Sequence, residues 1–530
     1  MGLLTRLAGT PAARKLMVGA ARSRAAYFRS LDPRKAQRDL FHDLIRAARS
    51  TRFGTDYDFA RIAGMPFEKA YDEFRTIVPI RTYQQFWADY CAGHHTRSAD
   101  GSISINLHDI TWPGQIRRFC ETSGTTAPTK FIPFSREMFA QNRRAALDLI
   151  SCYLDSNHDS KIIGGKILYM SGSTALNRMA PGVVSGDMSA ITLRYRPWYL
   201  APFVEPSLEI ADLPWASKLD AMARLLLRDS SIRAISGVPP WIILLLTRCR
   251  ELGGGRSLPE LLPNLELIIH GGTGISPYLA EFHRLFNDSM PRLIELLPSS
   301  EAFMGFQCAG DTSMRLTPYY GTFFEFVRFE DLGDDGKPAA DAPAIPLEQV
   351  VTGQRYAVIL TTCSGLWRYH IGDTIRFTAL SPLLIEFAGR DRVLDKLEEK
   401  VTQEEVEQAI ADYNRNRDGR VVREFMVGSD IAGRRHVWIL AGRGLSHDRQ
   451  NAALRLDASL SERNADYACF RSQGRIAPPR VVVTDEDTIY RWSDAERGKL
   501  GGQSKIPRID ATADASLVNS IIRFASRAES

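Results

Sequence analysis

The sequence predicts an α/β protein with a large N-terminal domain and a smaller C-terminal one. Three observations predict it. From Lys166 onward, short β-branched runs ending in glycine or serine alternate with longer stretches of helical periodicity, the pattern of an at least partly parallel sheet with working loops at its strand ends. The 530 residues exceed what one core fills, since single cores seldom pass about 250–300 residues. A composition of 44% hydrophobic and 24% charged residues is that of a folded globular chain.

The elements follow in chain order. Residues 1–50 form a basic helical leader. Its first 35 residues hold eight basic groups (Arg6, Arg14, Lys15, Arg22, Arg24, Arg29, Arg34 and Lys35) against one acid, Asp32. The chain's net charge of +5 therefore sits there, and the remainder balances 59 basic against 61 acidic groups, or −2. Such a body offers no general polyanion-binding surface, so nucleic acid is not an expected partner. Leu16, Met17, Ala20, Ala21, Ala25 and Phe28 recur at helical spacing; docking on the body is the first reading of this face and contact with an anionic membrane surface the second. Leu40, Phe41, Leu44, Ile45 and Ala48 predict the next helix.

Strands are predicted at Ile167 to Met170, Leu265 to Ile269 and Leu293 to Leu297, each running into a small-residue loop and then a helix. The longest apolar run, Trp241 to Leu246, reads as a buried helix, far short of the roughly 18 residues of a membrane span. Residues 331–346 read as an exposed loop and Tyr356 to Thr361 as a strand. Thr402 and Glu405 predict a capping box, followed by a helix with Val406, Ala409, Ile410 and Tyr413 on one face. A boundary near Arg390 divides the chain into 1–389 and 390–530, the latter with strands at His436 to Ala441 and Arg480 to Val483. Leu16 to Ala21 is too short an uncharged stretch for a secretory signal, and seven cysteines lack a CxxC pair. A cytoplasmic monomer with free thiols and no integral membrane segment is the expectation.

Four segments can carry chemistry. Thr122-Ser123-Gly124-Thr125-Thr126-Ala127-Pro128-Thr129-Lys130 surrounds a glycine with hydroxyls and ends in a lysine, which suits either a phosphate cradle or a Thr/Ser-rich surface turn. Ser299-Ser300-Glu301 at a strand end offers a carboxylate for Mg²⁺, or simply a helix N-cap with an acid in the first turn. In Arg368-Tyr369-His370-Ile371-Gly372-Asp373 the aspartate can accept ribose hydroxyls or cap its own turn. Lys505, in Gln503-Ser504-Lys505-Ile506-Pro507-Arg508, can reach a phosphate or carboxylate, or be a solvated charge. His94-His95 reads as a surface pair rather than a metal site. Arg194, Arg196, Trp198 and Tyr199 suit an exposed loop better than an aromatic-acid pocket.

The order of these segments resembles the adenylate-forming superfamily, and within it the plant-type acyl acid amido synthetases that conjugate auxin or jasmonate to amino acids, with their bacterial relatives. The resemblance runs from Thr51-Arg52-Phe53-Gly54 and Val78-Pro79-Ile80 through Phe131-Ile132-Pro133-Phe134, Gly237-Val238-Pro239-Pro240-Trp241 and Phe323-Phe324-Glu325-Phe326. It continues to Gly365-Leu366-Trp367-Arg368-Tyr369, Glu399-Lys400-Val401 and Lys505-Ile506-Pro507-Arg508. It implies that Ser123, Gly124, Thr125 and Thr126, with Lys130, bind the ATP phosphates. It implies further that Ser300 contacts the phosphate of the adenylate, that Glu301 binds Mg²⁺, that Asp373 holds the ribose, and that Ser299 and Tyr369 belong to the ATP site. Gly271, Gly272 and Thr273 would line the nucleotide and acyl pocket, Arg390 would lie at the hinge of a mobile C-terminal domain, and Lys505 would assist adenylation. The chain departs from the pattern in a shorter phosphate loop, in Leu297-Pro298 before Ser-Ser-Glu, and in His370 where arginine is usual.

The implied activity is ATP-dependent. A small carboxylic acid is converted to an acyl-adenylate with release of pyrophosphate, and an amino acid amine then displaces AMP to form an amide. Glu301-bound Mg²⁺, the loop N–H groups and Lys505 would neutralise the charge that develops as carboxylate approaches polyphosphate. Rotation near Arg390 would then admit the amine. Transfer to coenzyme A or a carrier, and a non-catalytic acyl- or nucleotide-binding role, are the alternatives.

Overall fold

The computed structural model describes residues 9–97, 103–122, 129–287, 289–333, 336–390, 393–415, 421–445, 448–497, 505–512 and 514–528. The chain divides into two compact units: one of residues 1–168, 173–212 and 293–387, the other of residues 169–172, 213–292 and 388–530. Among the described residues, no helix is long and apolar enough to cross a membrane.

In the first unit the leader is a helix, Pro11–Ser30, with the Thr10 hydroxyl accepting the Ala13 N–H at its N-cap. It lies along the helix Arg136–Ser156. Ala21, Ala25 and Phe28 are buried, and Phe28 stacks on Phe306 with ring centroids 5.3 Å apart. The leader's cations meet partners on and after the same helix: Arg24 pairs with Asp148 at 2.6 Å, Arg29 with Asp155, and Arg14 donates to the Ser160 carbonyl at 2.6 Å. The basic face is thus turned toward protein acceptors, and the leader docks on its own unit. Only part of its predicted apolar face takes part, since Leu16 stays 76% exposed.

The helix Pro33–Ala48 buries Phe41, Leu44, Ile45 and Ala48, with Asp32 accepting the Arg34 and Lys35 N–H groups at its start. Thr51 caps the short helix Arg52–Asp56 behind it. Gly54 is required at this junction, because a Cβ there would stand 2.1 Å from the Ala48 carbonyl oxygen. Gly54→Ala is expected to destabilise the protein by about 1–3 kcal/mol, read as a lowered urea midpoint. An unchanged midpoint would show that the backbone yields there.

The main sheet of this unit runs in the order Ile345–Pro346, Thr322–Arg328, Arg355–Thr362, Tyr369–Leu380, Leu383–Arg390, Met314–Leu316, Phe303–Gln307 and Arg292–Pro298. A smaller sheet orders Lys130–Pro133, Arg118–Thr122, Val183–Gly186 and Asn177–Ala180. Parallel pairing occurs between Arg118–Thr122 and Val183–Gly186, and between Lys166–Tyr169 and Val204–Glu205. Most of the main sheet is antiparallel.

Two expectations are corrected in this unit. The strand Arg292–Pro298 is followed by a second antiparallel strand, Phe303–Gln307, with no helix between them. The chain reverses at Ser299 because its hydroxyl and N–H both bond within the turn, and Met304 and Phe306 of the returning strand are buried. Residues 331–346 are not exposed throughout. Ala342 and Ala344 pack with Ile80, Ala357 and Ile359, and Ile345–Pro346 forms the edge of the sheet, a position where the missing N–H of proline costs no ladder bond.

The second unit holds a parallel pair, Ile232–Gly237 beside Leu267–Gly271, and the helix Pro239–Leu252, whose Trp241, Ile242, Ile243, Leu245 and Leu246 are all buried. Its C-terminal part is a four-stranded sheet in the order Arg480–Thr484, Arg435–Arg443, Val421–Asp430 and Ile509–Asp510. The capping box starts the helix Gln403–Asn414 as expected: Thr402 Oγ1 accepts the Glu405 N–H at 3.3 Å, and Glu405 accepts the Thr402 N–H at 2.7 Å. Asn414 ties the end of that helix to Val422 through two 2.9 Å bonds and donates to the Pro277 carbonyl at 2.9 Å.

Candidate functional site

The cradle residues Ser123, Gly124, Thr125 and Thr126 lie outside the described residues. What flanks them is a β-hairpin, with Thr122 paired to Lys130 across its two strands. Lys130 Nζ stands 5.5 Å from the Tyr83 ring centroid, and the Tyr83 hydroxyl accepts the Phe131 N–H at 2.8 Å, so the lysine's base is fixed by the core. Glu121, one residue before Thr122, accepts hydrogen bonds from Ser185 at 2.6 Å and Asn177 at 2.8 Å. This carboxylate was not singled out in the sequence, where it reads as an ordinary strand residue.

Ser299 Oγ accepts the Ala302 N–H at 2.9 Å and donates to the Ala302 carbonyl at 3.0 Å. Its hydroxyl therefore holds the turn. Ser300 is half-buried and Glu301 is 7% exposed at the same turn. Neither begins a helix, so the capping alternative for Glu301 falls away. The Tyr369 hydroxyl lies 3.5 Å from Glu301 Oε1. Burial raises the Cys120 thiol well above its ordinary range, and the nearby Glu301 charge raises it further.

Asp373 is set within the strand Tyr369–Leu380 and is buried, where a turn had been the alternative. The strand opposite, Arg355–Thr362, shifts register between Ala357 and Ile359, facing Ile371 to Asp373. Gly372, at φ +87°, supplies the left-handed residue such a bulge needs and re-aims the aspartate that follows it. The first unit thus brings Glu301 and Tyr369 into contact and sets Asp373 four residues along the Tyr369 strand. His370 is buried one residue beyond Tyr369.

In the second unit, Gly272 and Thr273 follow the strand Leu267–Gly271, and Gly272 has φ +87°. A Cβ at Gly272 would meet Lys505 Cε at 3.0 Å and Nζ at 3.4 Å, so the terminal lysine lies directly on this loop. His270, just before it, is 2% exposed; burial pushes its pKa down to about 3, leaving the imidazole neutral. Arg390 stands at the end of the strand Leu383–Arg390, half-buried.

Three residues after Lys505 the chain is anchored by a residue quoted above only as part of a motif. Arg508, 3% exposed, donates to the Glu424 carboxylate, to the Tyr278 hydroxyl and to the Phe425 carbonyl. Glu424 also accepts from the Tyr490 hydroxyl at 2.8 Å. Sequence reading missed a second anchor: a Cβ at Gly274 would stand 2.6 Å from Glu407 Oε2, so this carboxylate borders the same loop. Burial raises the Glu407 carboxyl above its ordinary range. Its helix pattern gives no hint of this, because Glu407 falls one residue from the apolar Val406.

Among the described residues, no group of three or more His, Cys, Asp or Glu side chains is assembled to hold a metal ion. Glu301 fits a magnesium ion that takes one protein carboxylate and completes its shell with phosphate oxygens and water, the usual manner of nucleotide sites.

The chain matches three family models in order: the GH3 family N-terminal domain over residues 28–229, the GH3 family central domain over 316–390 and the GH3 family C-terminal domain over 384–513. It is 28% identical over 283 residues to the indole-3-acetic acid-amido synthetase GH3.10 of Arabidopsis thaliana, covering 49% of this chain and 47% of that protein. It is 28% identical over 300 residues to the jasmonoyl-L-amino acid synthetase JAR6 of Nicotiana attenuata, covering 51% and 49%. The chain thus spans about half the length of the curated relatives it matches. Among solved structures, a GH3.15 acyl acid amido synthetase superposes with a TM-score of 0.71 at 17% identity, covering 92% of this chain and 94% of the other. A 2-hydroxyisobutyryl-CoA ligase superposes with a TM-score of 0.57 at 12% identity, covering 92% of each, so the adenylate-forming fold of a large N-terminal and a C-terminal domain is shared. Three domain models of one family, met in sequence between residues 28 and 513, establish that the chain belongs to the GH3 family.

Proposed function

We propose that the protein is an ATP-dependent acyl acid amido synthetase that activates a small carboxylic acid as its adenylate and passes the acyl group to an amino acid amine. The observation that carries this reading is the buried Glu301 carboxylate, held at a strand–turn–strand corner with the Tyr369 hydroxyl 3.5 Å away. A carboxylate kept there invites a cation. Glu301 would hold magnesium, which would supply charge neutralisation at the polyphosphate. Asp373, which follows the bulge at Gly372, would accept ribose hydroxyls, and Lys130 would add positive charge beside the residues nominated for phosphate. Lys505, held on Gly272 through the Arg508 anchor, stabilises negative charge in the adenylation step. The names of the relatives, which conjugate indole-3-acetic acid or jasmonate, support an amino acid as acceptor.

The test is a pyrophosphate-release screen of aromatic, jasmonate-like and fatty acids, each with and without amino acids. An amide product of the expected mass, formed only when amino acid is supplied, is the expected result. A thioester formed with coenzyme A and no amide would overturn the acceptor assignment, and absence of ATP–pyrophosphate exchange with every acid would overturn the activity. Glu301→Gln is expected to lower magnesium-dependent pyrophosphate release by about 10²-fold or more. Unchanged release would remove the carboxylate from the reaction.

A further inference from the structure

The paired strands Arg118–Thr122 and Lys130–Pro133, which flank the residues nominated for phosphate, have a second feature at their other end. A cavity of about 560 Å³ opens beside Arg118, the first residue of the strand Arg118–Thr122, and Phe134, just past the strand Lys130–Pro133. Four residues of strand, at ~3.3 Å each, put it about 13 Å from the start of the loop. None of the residues nominated for the nucleotide lines it. Its floor is apolar and buried, made by Trp112, Ile116 and Phe134.

Its wall is cationic. Arg117, Arg118, Arg136 and Arg143 all line it, and Glu137 is the one acidic residue among the lining side chains. None of the four arginines forms an ion pair or donates a side-chain hydrogen bond among the described residues, whereas arginines elsewhere in this unit, such as Arg24, Arg29, Arg38, Arg61 and Arg81, do so. Aromatic rings hold two of the cavity's guanidinium groups in place. Arg118 lies 4.3 Å from the Tyr195 ring centroid and 5.9 Å from that of Phe139, and Arg143 lies 5.6 Å from Phe139. Ring stacking fixes a guanidinium plane while leaving its N–H edge unused. Arg118 Nε is buried with no hydrogen-bond acceptor, an arrangement that a ligand oxygen would complete.

Like charges gathered around one cavity repel, and a neighbouring acid would relieve them most simply. The chain supplies one acid for four arginines. We infer that this cavity is a second, anion-binding site for a small molecule that carries a multiply charged oxyanion on an apolar or aromatic body. The arginine forks would take the oxyanion bidentately, and the floor of Trp112, Ile116 and Phe134 would take the body. The inference rests on the unpaired arginines and the apolar floor, and it stands whether or not the proposed activity is correct.

The test is calorimetric titration of the full chain with phenyl phosphate and, separately, with inorganic phosphate. Phenyl phosphate is expected to bind about tenfold or more tightly than inorganic phosphate. The exposed pair Arg117→Gln/Arg143→Gln should weaken phenyl phosphate by about tenfold or more, and Arg118→Lys, which keeps the charge but loses the fork, should weaken it as well. Equal affinity in the wild type and the double variant would place the ligand elsewhere and overturn the site. Equal affinity for phenyl and inorganic phosphate would overturn the apolar body, and no binding of either probe would overturn the proposal entirely.

Discussion

Replacing Lys505 with alanine is expected to slow formation of the acyl-adenylate by about 10²–10³-fold, the usual cost of losing one preorganised charge donor, while amine attack on a pre-made acyl-adenylate proceeds at its wild-type rate. The asymmetry follows from where charge develops. In the first half-reaction a carboxylate approaches a polyphosphate, so a cation is needed; in the second a neutral amine displaces AMP. Lys505 is the residue proposed for the first task. Its Cε and Nζ lie against Gly272, which has no side chain to push them away, and Arg508 fixes the backbone three residues on through Glu424 and Tyr278. ATP–pyrophosphate exchange measures the first half, and consumption of synthetic acyl-adenylate with amino acid measures the second. Equal loss in both would mean that the lysine is structural. Gly272→Ala serves as a geometric control: it adds a Cβ at φ +87° against the lysine stem, so exchange should fall even though Lys505 remains.

Features that depend on a few adjacent residues were legible in the sequence. The Thr402–Glu405 box, the leader helix and the buried helix around Trp241 are set by residues three or four apart, and each is found where its spacing put it. Glu301 was nominated from the sequence, but its setting was not legible there: Ser-Ser-Glu reads as a helix start until Phe303 to Gln307 is seen to pair back on Leu296 and Leu297. Asp373 has the same history, since a glycine before an aspartate signals a turn, and only the register shift at Ala357 and Ile359 shows a bulge inside a strand. The strand Val421–Asp430 escaped because Arg423 and Glu424 break its apolar run. Those charges are core residues whose partners lie far along the chain, at Glu281 and Arg508. Nothing local reveals pairings over such separations. Hence the frame was readable and the polar contacts that tune the site were not.

The same long-range pairing makes Glu325→Ala the substitution with the largest expected cost in stability. Glu325 and Arg368 are 0% and 1% exposed, and Arg368 Nε lies 3.1 Å from both carboxylate oxygens. Arg368 spends its other donors on the Arg75 carbonyl at 2.9 Å and the Val78 carbonyl at 2.7 Å, while the Tyr71 hydroxyl donates to Glu325 at 3.0 Å. Every element that meets here is tied to the same two charges. Removing the carboxylate leaves a guanidinium in the core without its counter-charge, a change that typically costs about 3–5 kcal/mol. Glu325→Gln keeps an acceptor for Tyr71 and Arg368 and should cost less than Glu325→Ala. The neighbouring Trp367, buried and bonded to the Thr111 carbonyl at 2.9 Å, gives a fluorescence signal for the urea midpoint. Because water is excluded, salt should hardly move the difference between wild type and variant, whereas a surface pair would lose its contribution. A shift below about 1 kcal/mol, or one that vanishes in about 1 M salt, would contradict the burial argument. The functional consequence follows from position: Arg368 immediately precedes Tyr369, so loosening it should also displace the hydroxyl that faces Glu301, and pyrophosphate release should fall in the fraction that remains folded.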